Sequence, residues 1–133
     1  MENNPAAIKS VGMVSIYADD FDRTMKFYVN TLGLTDVQPM GERACYIRFG
    51  RTADGNPYGM YIIGGKKPAP EYDPQASRTT FAFEVQSAGT LFGILRDAGV
   101  ILLQDEPMDM GGGWFWFNFL DPAGNVIEIL GER

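Results

Sequence analysis

The residues with the clearest chemical character lie near the end of the chain. They form the run Trp114-Phe115-Trp116-Phe117-Asn118-Phe119-Leu120 and, after Asp121-Pro122-Ala123-Gly124-Asn125, the run Val126-Ile127-Glu128-Ile129-Leu130. Read as a strand, the first run puts Trp114, Trp116, Asn118 and Leu120 on one face and Phe115, Phe117 and Phe119 on the other, because successive side chains alternate. Glu128 is a lone carboxylate in an otherwise apolar segment. Flat aromatic walls with a few polar anchors hold planar ligands, stacking adding about 0.5–1.5 kcal/mol per pair beyond area burial. A carboxylate desolvated in such a place can instead take a proton as a general base.

A matching strand stands earlier. Ala44-Cys45-Tyr46-Ile47-Arg48-Phe49-Gly50 puts Tyr46 and Arg48 on one side and Cys45, Ile47 and Phe49 on the other. Setting Arg48 against Asn118 brings Tyr46 opposite Trp116. The polar and large-aromatic side of each strand is therefore assigned to a cleft, and the Phe/Ile side to covering helices.

The elements that must position these faces repeat. A strand over 12–20 leads to Asp20 as helix cap, and Phe21, Met25, Tyr28 and Leu32 recur at helical spacing before Gly33 ends the helix. Strands follow over 36–40, 44–50 and 58–63. Pro68, Pro70 and Pro74 make 65–77 a connector. The order then recurs, with a strand in Thr79–Ser87, Ser87 as cap, a helix to Gly99, and strands over 101–105, 114–120 and 126–130. Met13 to Thr80 and Tyr61 to Glu128 are both separations of 67 residues. The expectation is one α+β domain over 1–133, built from two βαβββ modules at about 8–64 and 78–131, neither stable alone because each leaves a sheet face uncovered.

Composition narrows the function. A net charge of −6 with 17 acidic and 11 basic residues leaves no basic cluster to neutralise phosphates, which argues against nucleic acid and favours neutral or cationic ligands. No histidine is present, so the commonest general base and transition-metal ligand are both missing. A single cysteine, Cys45, cannot form an internal disulfide. With no apolar run long enough for a membrane span and no signal-like opening, a cytoplasmic chain is expected.

The stretch Asp19-Asp20-Phe21-Asp22-Arg23-Thr24-Met25-Lys26-Phe27-Tyr28 through Leu34, and the closing Asn118-Phe119-Leu120-Asp121-Pro122-Ala123-Gly124-Asn125-Val126-Ile127-Glu128, resemble the vicinal oxygen chelate superfamily of glyoxalases, bleomycin-resistance proteins and extradiol dioxygenases. The resemblance implies paired βαβββ modules curling into an incomplete barrel around a cleft, completed in a homodimer. In metal-using members four side chains, from the first and last strands of each module, hold the ion. Those positions fall here on Met13, Tyr61, Thr80 and Glu128, of which only Glu128 matches. One carboxylate does not hold a divalent ion against water, so neither a metal nor another cofactor is expected.

Three readings follow. The first is a metal-free binding protein sequestering a hydrophobic or aromatic ligand, cations being favoured, against Trp114, Trp116, Tyr46 and Tyr61, with Arg48, Asn118 and Glu128 as polar anchors and Met13 and Thr80 at the inherited corners. The second is a metal-independent lyase or isomerase with Glu128 as general base and Arg48 stabilising an enolate. The third is an interaction module whose aromatics fill the barrel while Glu128 pairs with Arg48.

Overall fold

The computed structural model describes residues 4–7, 11–66, 71–75 and 77–133. Of the proline-rich connector, 67–70 and 76 lie outside the described residues, and with them Lys67, Pro68 and Pro70. The first module contains β1 (Met13–Ala18), α1 (Phe21–Lys26) running into a π-helical turn (Phe27–Thr31), β2 (Val37–Pro39), β3 (Ala44–Arg51) and β4 (Pro57–Gly64). The second contains β5 (Thr79–Ser87), α2 (Ala88–Asp97), β6 (Ile101–Leu102), β7 (Met108–Gly111), β8 (Trp114–Leu120) and β9 (Val126–Glu132). Two mixed sheets result, in the orders β1-β4-β3-β2 and β5-β9-β8-β6, with β7 paired to β8. The fold is α+β, and among the described residues no barrel closes. In each module the first strand runs parallel to the last, and the remaining pairs are antiparallel.

The helices begin where local chemistry starts them. The Asp20 carboxylate accepts the Arg23 amide at 3.1 Å and the Ser87 hydroxyl accepts the Thr90 amide at 3.0 Å. Each such cap contributes about 1 kcal/mol by satisfying an amide that the helix leaves without a partner. Both helices end two residues before a glycine in the left-handed region, Gly33 at φ 73° and Gly99 at φ 76°. Gly33 stands thirteen residues after its cap and Gly99 only twelve after its own. The additional residue is absorbed in the π-helical turn, whose hydrogen bonds span one residue more than an α-helix allows.

Two expectations need correction. The single helix read over the first module is an α-helix of six residues followed by five in π geometry. The strand read over 101–105 is paired only at Ile101–Leu102, and β7 follows in the interval between the strands expected over 101–105 and 114–120. All four β7 residues are exposed, so no apolar alternation marks that strand in the sequence.

One apolar core takes residues from both modules. Ile16, Ile47, Met60 and Ile62 of the first sheet and Phe117, Phe119, Ile127 and Ile129 of the second are buried in it, together with Tyr28, Phe92 and Leu95 from the helices. The contacts joining the modules lie on these core-facing sides. Phe27 packs on Phe119 with ring centres 5.8 Å apart, and Phe49 meets Phe83 edge-on at 5.3 Å. The Tyr28 hydroxyl donates to Asp121 Oδ2 at 2.7 Å, both groups buried, and Asn125 Nδ2 donates to the Tyr17 carbonyl at 3.1 Å. Asp121 Oδ1 also accepts the amides of Ala123 and Asn125, each at 2.9 Å. Thus the Asp and Asn of the closing turn both shape that turn and fasten one module to the other.

Candidate functional site

The alternation expected for the aromatic strands is present. In β8, Phe117 and Phe119 are buried, Trp116 and Asn118 half-buried, and Trp114 40% exposed. In β3, Cys45 and Ile47 are buried while Tyr46 and Arg48 are half-buried. In β9, Ile127 and Ile129 point into the core and Glu128 to the open side.

On the open face of the second sheet, Trp116 Nε1 donates to Glu128 Oε1 at 3.1 Å, and Asn118 is the direct cross-strand partner of Glu128. Gln104, which sequence reasoning missed, is joined to Asn118 by two bonds. Its Nε2 donates to Asn118 Oδ1 at 2.7 Å and its Oε1 accepts the Asn118 backbone amide at 2.8 Å. Gln104 lies just beyond β6, where neither helical nor strand periodicity distinguishes it. Only its place two residues after a strand paired with β8 brings it to Asn118.

On the open face of the first sheet, Tyr46 and Tyr61 are register partners and their rings stack, with centres 5.0 Å apart and planes 30° from parallel. Lys66 places its ammonium 5.1 Å from the centre of the Tyr17 ring. Among the described residues, the aromatic and hydrogen-bond contacts of Tyr46 and Tyr61 stay within the first module, and those of Trp116, Asn118 and Glu128 stay within the second.

Arg48 does not pair with Glu128. Its guanidinium holds Asp36, Nη2 to Oδ2 at 2.6 Å and Nε to Oδ2 at 2.7 Å. The pair borders a cleft of about 860 Å³, which Met13, Tyr58, Phe81 and Glu84 also line. Asp36 comes from the short segment before β2 and was not singled out in the sequence. A carboxylate twelve residues from Arg48 carries no periodic signal; the antiparallel return of β3 alongside β2 brings them together.

The four inherited corner positions are chemically dispersed. Met13 lies beside Gly59 rather than Tyr61, and is 56% exposed. Ser15 is the residue paired with Tyr61, and Ala82 the one paired with Glu128. The Thr80 hydroxyl is already engaged, donating to the Val126 carbonyl at 3.0 Å. Among the described residues no three His, Cys, Asp or Glu side chains gather as a metal-binding group.

The titratable groups with displaced pKa values lie away from this face. Burial pushes the Cys45 thiol up to about 11, and its sulfur rests 3.0 Å from Met25 Sδ. Such a thiol is a core residue and a poor nucleophile at neutral pH. Burial also raises Asp121, against the opposing pull of its hydrogen bonds from Asn125 and Tyr28, and it raises Tyr28 well above its ordinary value, with the adjacent Asp121 adding to the effect.

The family model of the Glyoxalase/Bleomycin resistance protein/Dioxygenase superfamily matches residues 10–129. The chain belongs to this superfamily. A glyoxalase/dioxygenase from Nostoc punctiforme superposes with a TM-score of 0.72 at 16% identity, covering 100% of this chain and 97% of the other. The fosfomycin resistance protein FosX from Listeria monocytogenes does so at 0.65 and 14%, covering 96% of each chain. A glyoxalase/bleomycin resistance protein/dioxygenase from Alicyclobacillus acidocaldarius gives 0.64 and 18%, covering 98% of this chain and 95% of the other. At these identities the likeness is one of fold. No curated protein matches the chain at a significant level. Among the described residues no helix is long and apolar enough to cross a membrane.

Proposed function

We propose that this superfamily member is a metal-free small-molecule-binding protein that holds a planar, hydrophobic or cationic compound against the open face of its second sheet. The observation that carries the reading is the Trp116–Glu128 hydrogen bond, which leaves a carboxylate oxygen and a tryptophan surface side by side on a half-exposed sheet. Supporting the absence of a metal from the reading is the donor chemistry of the inherited corners. Of these, one is a carboxylate, one a thioether displaced along its strand, one a phenol stacked on another ring, and one a hydroxyl bonded to backbone. That set does not fit a divalent ion.

We further propose that the ligand cleft is completed in a homodimer, each open face being half of it. The tyrosine face with Lys66, in the first sheet, is the complement of the tryptophan face with Glu128 and Glu84, in the second. The buried, unpaired thiol of Cys45 suits a reducing, cytoplasmic setting.

Both of the chain's tryptophans lie on β8, so tryptophan fluorescence reports on this strand alone. Titration with planar and cationic aromatic compounds is expected to quench or shift that emission. Silence across the whole panel would count against binding here. Light scattering on the purified chain should give twice the mass of one copy, and a monomer would remove the dimer from the proposal.

A second reading keeps Glu128 as a general base, because its Oε2 has no partner among the described residues. Arg48 does not serve as the enolate clamp in that scheme, being held by Asp36.

A further inference from the structure

The hydrogen bonds around Asn118 fix which of its atoms faces outward. A backbone amide can only donate, so the atom of Gln104 that meets the Asn118 amide at 2.8 Å must be its carbonyl oxygen. The other end of the same side chain is then an NH₂ group, and what it meets at 2.7 Å must be the carbonyl oxygen of Asn118. Asn118 is left with Nδ2, a pure donor with no partner among the described residues. Its cross-strand neighbour Glu128 has one oxygen occupied by Trp116 and the other open, a pure acceptor. The amide of Leu103 donates to the Asn118 carbonyl at 3.1 Å, which pins the segment carrying Gln104.

We propose that Gln104 is a positioning residue that sets the hydrogen-bond polarity of this face, and that the face takes a planar ligand with an adjacent carbonyl and N–H, the cis-amide edge of a lactam or imide. Asn118 Nδ2 donates to the ligand carbonyl, Glu128 Oε2 accepts the ligand N–H, and Trp116 covers the ring. The inference rests on the ligand-face reading above and narrows it to a substrate class. Cross-strand partners on one sheet face stand about 5 Å apart at Cβ, a spacing within which two flexible side chains can reach neighbouring atoms of one amide.

Three probes separate the alternatives in calorimetric titrations of the full chain. These are 2-quinolinone, an aromatic lactam; 1-methyl-2-quinolinone, which keeps ring and carbonyl but lacks the N–H; and 2-aminoquinoline titrated in its protonated form, whose ring N–H and amine both donate. The wild-type chain is expected to bind the lactam at least about tenfold more tightly than its methylated form, the loss of one hydrogen bond to a charged acceptor. In Gln104→Glu, the glutamate still accepts the Asn118 amide but has no hydrogen for Asn118 Oδ1. The Asn118 side chain then turns its NH₂ inward and presents an acceptor, so the lactam preference is lost and 2-aminoquinoline gains. Asn118→Asp presents the same acceptor by another route and serves if Gln104→Glu does not fold. Equal binding of the two quinolinones by the wild type overturns the proposal while leaving the ligand face in place, and so does a lactam preference unchanged in the folded variants. Binding of none of the three overturns the ligand face and the proposal together.

Discussion

The indole N–H of Trp116 donates to Glu128 Oε1 at 3.1 Å along the diagonal between two adjacent antiparallel strands. Replacing Glu128 by Gln keeps an oxygen for the indole while removing the charge. Stability should therefore change by no more than about 0.5 kcal/mol, as for most substitutions on half-open surfaces. Affinity for a ligand that donates to Glu128 should fall about tenfold or more. Total loss of a turnover, in an assay that detects one in the wild type, would instead identify Glu128 as a base.

Tyr28→Phe removes a hydrogen bond across the two modules and leaves Asp121 Oδ2 with Asn125 as its remaining donor. The expected cost is about 1–3 kcal/mol, because the acceptor stays buried. Urea unfolding should show the midpoint lowered with the slope unchanged.

Asp121 also gives stability a pH dependence of known sign. Its folded pKa is raised from 3.8, chiefly by burial, so between these two values the native state binds more protons than the unfolded chain. Its contribution therefore favours folding most below 3.8 and declines as pH climbs through the raised value. Subtracting the curve of Asp121→Asn from that of the wild type should isolate this downward slope. A flat difference curve would contradict the placement of Asp121.

Gly131→Ala tests how closely the chain packs where α2 begins. A Cβ at Gly131 would collide with the Val85 carbonyl and stand 3.2 Å from the Ala88 amide. Backbone offers no easy relief, so a loss of about 1–3 kcal/mol is expected. Thermal melting of the variant reads it directly.

Much of the fold could be read before the structure was known, for reasons that are local. Asp20, Ser87, Gly33 and Gly99 mark helix ends through their own backbone and side-chain chemistry, and Phe117, Phe119, Ile127 and Ile129 declare their faces by alternation. The site was less legible because its decisive contacts link residues whose proximity is created by sheet register. Gln104 reaches Asn118 across the β6–β8 pairing, and Asp36 reaches Arg48 across β2–β3. Neither partner carries a motif. The Glu128–Arg48 pair was plausible from charge alone, yet the two residues belong to different sheets and each has a nearer partner. β7 escaped notice since an exposed strand shows no period.

The five-residue π-helical turn at Phe27–Thr31 gives the two halves of the chain unequal arms with an equal pitch. A helix lengthened by one residue would ordinarily swing everything beyond it through about 100°; here the surplus is stored as a wider coil. Removing that surplus residue would equalise the two arms and make the repeat more regular, at the very coil that sets Phe27 against Phe119 and Tyr28 against Asp121.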